Sequence, residues 1–135
     1  MTIARDHDTQ SIRQMCEAFD VTPRTLRFYE AKELLFPIRQ GTRRMFTRKD
    51  RGRLTLILRG KRFGFSLEDI RQLLNMYDPV GSNAAQMMKT CDLAKARLAQ
   101  MRSQRDELDQ VIAELAAQMT KGATMLANLH KTAAE

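Results

Sequence analysis

The chain has 135 residues and a formal net charge of +7, which suits one compact domain with one long appended element. Apolar runs such as Leu56-Ile57-Leu58 are far too short to span a bilayer, and two cysteines make no disulfide framework, so membrane proteins and stapled secreted scaffolds are set aside and a cytoplasmic setting is expected. Residues 1–65 hold 15 Lys+Arg against 7 Asp+Glu, whereas residues 66–135 hold 8 against 9, so a polyanionic partner fits the first half and nucleic acid is the commonest such partner.

Residues 1–10 are polar and read as a disordered tail. Ser11 is placed to cap a first helix to about Phe19, with Ile12, Met15, Cys16 and Phe19 on one face. Thr22 then caps a second helix with Pro23 at its first position, where the missing N–H costs nothing. That helix runs to about Lys32 and is expected to bury Leu26 and Phe28. Helix, tight turn and basic helix form the layout of a helix-turn-helix DNA reader. Leu35–Arg39 and Arg44–Phe46 flank a turn at Gln40-Gly41-Thr42 and predict a two-stranded hairpin with Arg43 and Arg44 at its tip.

Thr47 with Asp50 is a capping box that opens a third helix, to about Arg62, ended by Gly64. Ser66 with Asp69 is a second such pattern, opening a fourth helix that Asp78-Pro79 stops. From about Asn83 onward the spacing becomes a heptad. Met87, Cys91, Ala94, Leu98, Met101, Arg105, Leu108, Ile112, Leu115 and Met119 alternate at steps of four and three. Such regularity predicts a coiled coil with a second copy rather than one amphipathic helix on its own domain. Arg105 is the one charge in this seam, with Asp106 and Asp109 nearby, and a polar seam residue can set register and orientation.

The run from Ile12 to Pro79 strongly resembles the MerR family of bacterial transcription regulators. The resemblance rests on Thr25-Leu26-Arg27-Phe28-Tyr29-Glu30, then Leu34, Leu35, Pro37 and Arg39, then Arg44 and Phe46, and finally Gly64 to Ile70. Residues 56–67 and Tyr77-Asp78-Pro79 look most like the branch that regulates leucine and isovalerate utilisation. The fold implied is mainly α. A winged helix-turn-helix with a small β-hairpin wing occupies residues 11–79, a long antiparallel coiled-coil dimerisation helix residues 80–121, and a tail or helix extension, a candidate effector-site element, residues 122–135.

The resemblance further implies a homodimer on a palindromic double-stranded operator. Such dimers distort a promoter whose spacer is too long, so that RNA polymerase engages both elements. The branch implies an acyl-coenzyme A effector from branched-chain amino acid or fatty-acid breakdown.

Arg24 sits in the first turn of the second helix, where a reader meets base edges, and an arginine there can hold guanine through two hydrogen bonds. Thr25 suits a thymine methyl or a phosphate. Arg27 and Tyr29 suit phosphates, Arg39, Arg43 and Arg44 the flanking backbone or a minor groove, and Arg59 and Lys61 further phosphates. For each arginine alone a solvated surface charge is the plain alternative. Phe46 stands where the family often has tyrosine.

Metal-sensing members of the family carry a cysteine pair after the coiled coil, and residues 122–129 have none. Cys91 alone is a poor site for soft metals, with His130 the one nitrogen ligand near that end, so no metal and no cofactor are expected. No carboxylate pair or nucleophile motif accompanies His7 and His130, so an enzyme is not expected. The competing reading is an architectural, DNA-bending winged-helix protein without effector, which the long seam disfavours.

Overall fold

The computed structural model describes residues 8–77 and 80–134. Its elements in chain order are β1 (Gln10–Ser11), α1 (Ile12–Phe19), α2 (Pro23–Ala31), β2 (Ile38–Gln40), β3 (Arg43–Phe46), α3 (Arg48–Phe63), α4 (Leu67–Asn75) and α5 (Ala84–Ala134). The chain divides into two units, residues 1–93 and 94–135.

Side-chain caps set the helix starts. Ser11 Oγ accepts from Gln14 N at 3.2 Å while Gln14 Oε1 accepts from Ser11 N at 2.8 Å, a reciprocal box that opens α1. Thr22 Oγ1 accepts from Thr25 N at 3.2 Å, with Pro23 at the first position of α2. Between them Asp20 takes a left-handed conformation, φ 53°, and turns the chain from α1 into α2. Thr47 and Asp50 form the expected box at α3, and Gly64 closes that helix at φ 84°, which glycine adopts without a Cβ penalty. At α4, Ser66 Oγ caps Asp69 N at 3.0 Å. Helix α4 ends with its cap at Met76, and the expected stop at Asp78-Pro79 lies outside the described residues.

The hairpin is larger than the sequence pattern predicts. Strand β3 pairs with β2 in the register Ile38↔Met45, Arg39↔Arg44 and Gln40↔Arg43, which leaves Gly41 and Thr42 as the turn. Gly41 has φ 63° at the first turn position, the pattern of the primed turns that match strand twist. On its other edge β3 pairs antiparallel with β1, Gln10↔Phe46 and Ser11↔Met45, so the wing is three-stranded in the order β1-β3-β2. Residues 8–10 therefore belong to the folded unit and not to a disordered tail. Arg51 Nη1 also donates to the Asp8 carbonyl at 2.6 Å. The unpaired edge of β3 supplies the reason, since its backbone groups need partners.

The core gathers Met15, Leu26, Tyr29, Leu34, Leu35, Phe46, Leu54, Ile57, Ile70 and Leu74. Phe28, expected inside, is 43% exposed, and Tyr29 takes its place at 1%. Helix geometry decides this: Tyr29 lies three positions from Leu26 and shares its face, whereas Phe28 is turned about 200° away.

Among the described residues one charged side chain lies inside. Asp50 is 2% exposed, and its carboxylate accepts from Phe36 N at 2.9 Å, Thr47 N at 3.1 Å and Thr47 Oγ1 at 3.2 Å. One side chain thus fixes the start of α3 and the entry into the wing. Arg53, one turn on, donates from Nε to the Leu34 carbonyl at 2.7 Å and stacks 5.2 Å from the Phe36 ring centre. Burial pushes the Arg53 pKa down, and the Asp50 charge opposes that fall.

Helices α3 and α4 approach closely at Gly60, where an added Cβ would stand 3.0 Å from Ile70 Cγ1. Helix α5 spans 51 residues, runs through Gly122 without a break, and buries none of its described residues. No helix among the described residues is long and apolar enough to cross a membrane.

Asp50→Ala would strand the Phe36 and Thr47 amides and is expected to lower unfolding free energy by about 2–4 kcal/mol in urea titrations. A loss below about 1 kcal/mol would show that water replaces the carboxylate there. Gly60→Ala is expected to lose about 1–3 kcal/mol by overpacking, partly recovered by Ile70→Val in the same assay.

Candidate nucleic-acid interface

The cations predicted from sequence fall on three elements: α2, the wing and α3. Arg24 is exposed in the first turn of α2, beside the capped N-terminus whose amide dipoles favour anions. Thr25 is half-buried, and its hydroxyl lies 3.0 Å from that of Thr22, so its polar atom is engaged in the cap. Arg27 is exposed one turn on and shares an open cleft of about 280 Å³ with Ser11, Ile12, Thr42, Arg43 and Arg44. This cleft joins the start of α1, the middle of α2 and the wing turn. Arg59 and Lys61 are exposed on α3.

Two expected contacts are placed differently. Tyr29 is buried, its hydroxyl has no hydrogen-bond partner among the described residues, and the Lys61 ammonium sits 5.8 Å from its ring centre. It is a core residue whose ring helps hold Lys61 over α2. Arg44 does not point from the hairpin tip. Its Nε donates to Glu30 Oε1 at 2.6 Å, while Arg39 Nη2 donates to Glu30 Oε2 at 3.2 Å.

The Glu30 contact has a physical cause. Arg39 and Arg44 face each other across β2 and β3, and like charges in that position repel. The Glu30 carboxylate, 21% exposed, stands between them and ties the wing to α2. Burial pushes its pKa up, but the hydrogen bond and charge of Arg44, aided by Arg39, outweigh burial and leave it below its ordinary value of 4.5. Sequence reasoning missed this role. The available signal was the two arginines that the hairpin register sets opposite each other, with one acid at the end of the preceding helix.

Cys16 packs against the core from α1, and burial pushes its thiol pKa up despite the opposing charge of Arg27. Cys91 is exposed on α5. Among the described residues no group of three or more His, Cys, Asp or Glu side chains is arranged to hold a metal ion. The stretch Gly122–Leu129, which carries no cysteine, is helical.

The seam residues are uncovered in the single chain: Leu98 is 46% exposed, Leu108 60%, Ile112 54% and Leu115 60%. Arg105 is 63% exposed and bonds Asp106 of its own helix at 3.1 Å.

Because the folded pKa of Glu30 is depressed, its stabilisation is present above the unfolded value of 4.5 and is lost as pH falls through the folded value. Glu30→Gln is therefore expected to be less stable than the parent at pH 7 and to converge with it at acid pH. A constant gap between the two melting curves from pH 7 down to pH 3, values chosen to be about 1.5 to 2.5 units either side of an ordinary carboxylate, would contradict the ion-pair assignment.

Comparison with known proteins agrees with this geometry. The family model for MerR HTH family regulatory proteins matches residues 10–77, and a second, for MerR DNA binding, matches residues 51–118. The chain is 30% identical over 107 residues to the HTH-type transcriptional regulator ZntR of Escherichia coli K12, covering 74% of this chain and 76% of that protein. It is 28% identical to the HTH-type transcriptional regulator CueR of Salmonella typhi, over 73% of this chain and 75% of CueR. Among solved structures it is similar to the N-terminal part of MtaN, a Bacillus subtilis multidrug transporter activator, with TM-score 0.57 and 29% identity over 78% of this chain and 95% of that one. HiNmlR, a MerR family regulator bound to promoter DNA, shares the fold with TM-score 0.57 at 24% identity, over 75% of this chain and 79% of its own. Basic α2, the wing and the family matches lead to one conclusion: the chain belongs to the MerR family of DNA-binding transcription regulators.

Proposed function

We propose that the protein acts as a homodimer on a palindromic operator within a promoter whose spacer is too long, distorting the DNA so that RNA polymerase engages both promoter elements. The observation that carries this reading is the set of exposed cations, Arg24, Arg27 and Arg43, on α2 and around the cleft beside it, in a chain whose α5 leaves its apolar seam bare. In this reading Arg24 reads a guanine edge in the major groove. Thr25, its hydroxyl engaged with Thr22, offers its methyl to a thymine. Arg27 and Arg43 bind phosphate on the two sides of the cleft, and Arg59 and Lys61 add phosphate contacts from α3. Arg39 and Arg44 serve the wing through Glu30.

For the pathway, the sequence resemblance of residues 56–67 and Tyr77-Asp78-Pro79 to the leucine and isovalerate branch supports control of branched-chain amino acid or fatty-acid/acyl-coenzyme A catabolism, with an acyl-coenzyme A as effector. In this reading any effector is held by the dimer itself. The competing reading is an architectural DNA-bending protein. Open-complex formation on a promoter with a lengthened spacer separates the two: a regulator changes it in response to effector, whereas an architectural protein does not.

Arg24→Ala is expected to weaken binding to the operator by about 10–100-fold while changing affinity for random DNA far less. Equal losses on both would exclude base reading. Lys61→Ala is expected to weaken both alike and to reduce the slope of log affinity against log salt by roughly 1 in filter-binding or anisotropy titrations.

A further inference from the structure

We infer that Gln86 is a positioning residue: by capping α4 from the first turn of α5, it fixes the direction in which α5 leaves the DNA-binding unit, and so selects the half-site separation that the protein accepts. The inference rests on the dimer reading above and adds the contact that sets its geometry.

The contact begins at an unfinished helix end. Helix α4 stops at Asn75, and the carbonyls of its last turn need donors from outside the helix. Met76 N reaches the Gln72 carbonyl at 3.1 Å, the ordinary four-residue step. One residue later the pattern changes, because Tyr77 N donates to the Leu74 carbonyl at 3.3 Å. The Leu73 carbonyl accepts instead from Gln86 Nε2 at 2.6 Å, in a part-buried bond between residues 13 apart in the chain. The other side-chain caps act within their own helix, whereas this one joins two helices.

Both ends of the bond are held. Ile70 and Leu74 bury α4 in the core at 2% and 3% exposure, and Ile70 lies against Gly60 of α3. On the other side Asn83 takes a left-handed conformation, φ 57°, and its carbonyl accepts from Met87 N at 3.0 Å, which starts α5. Within residues 84–93 the half-buried side chains are Gln86, Lys89 and Leu93, at steps of three and four, which is one face of the helix. Met87 and Cys91 are exposed and are turned about 100–140° from that face. The start of α5 therefore shows one face to its own unit and another to solvent, where a second copy would meet it. Apolar contact at Leu93 is non-directional, but a hydrogen bond holds an angle, so Gln86 sets the rotation of α5 about its axis.

In a two-fold dimer that rotation counts twice, once for each reader. One base pair added between half-sites moves them about 3.4 Å apart and about 35° around the duplex. A dimer with fixed readers loses contacts under such a change, and one with loose readers follows it.

The test uses the full chain. An operator is first selected from random duplex DNA with the parent protein, and palindromes are then made with the half-sites one base pair closer or further apart. Affinity is measured on each palindrome and on an isolated half-site. The parent is expected to show one sharp optimum of spacing. Gln86→Met keeps the length of the side chain and removes its N–H; it should bind the half-site like the parent while its discrimination between spacings falls by about 2–10-fold, the worth of one hydrogen bond between neutral groups. Gln86→Lys restores a donor at the negative end of α4 and should restore the sharp optimum.

A parental spacing profile in Gln86→Met would overturn the inference, and so would a profile in Gln86→Lys as shallow as that of Gln86→Met. Weakened half-site binding by Gln86→Met would also overturn it, since Gln86 would then support the fold of the reader and not its direction. A parent without any spacing optimum, or one that binds as a monomer, would sink the dimer reading itself.

Discussion

The buried carboxylate of Asp50 is the constraint on which the N-terminal unit depends. A charge at 2% exposure is tolerated only where enough donors surround it, and here three neutral ones do: two amides and a hydroxyl. They come from both ends of the wing. Phe36 precedes β2 and Thr47 follows β3, so one side chain closes the hairpin at its base while starting α3. Leu34 and Leu35, just before Phe36, and Phe46, just before Thr47, are all members of the buried core. Wing and helical scaffold are consequently one piece, and the position of the wing turn relative to α2 follows from packing rather than from DNA.

Much of this was legible in the sequence because the information was local. Caps at Ser11, Thr22, Thr47 and Ser66, the proline at the start of α2 and the glycine at the end of α3 act within four residues of themselves, so spacing alone reveals them. The third strand was not legible, since Gln10-Ser11 is too short to show alternation and its partner lies 36 residues away at Phe46. The exchange of Phe28 and Tyr29 between surface and core was open to a geometric argument from Leu26, but a buried tyrosine hydroxyl normally finds a partner, and this one has no hydrogen-bond partner among the described residues. Chemistry pointed outward for Tyr29 while helix phase pointed inward, and phase prevailed.

The two halves of the chain divide the physical work. Residues 1–65 concentrate the excess positive charge that draws the protein to a polyanion. Helix α5 is close to neutral, carries no buried side chain of its own and, at 51 residues, has far more apolar surface than a solvated rod requires. An isolated helix gains little from propensity alone, so most of its order must come from packing against something else. The excess positive charge and the bare apolar seam are therefore carried by separate stretches of the chain.

The cluster of Glu30, Arg39 and Arg44 has a consequence for sequence variation. Both guanidiniums bind the same carboxylate, and each faces the other across the hairpin. Removing the acid leaves two like charges in opposition, and removing either arginine leaves the acid half satisfied. The three positions, distant in the chain, thus behave as a single inherited character. Among descendants of this sequence, neutral residues at 30 are expected together with the loss of a cation at 39 or 44, so covariation at these sites would record the docking of the wing and not the choice of operator.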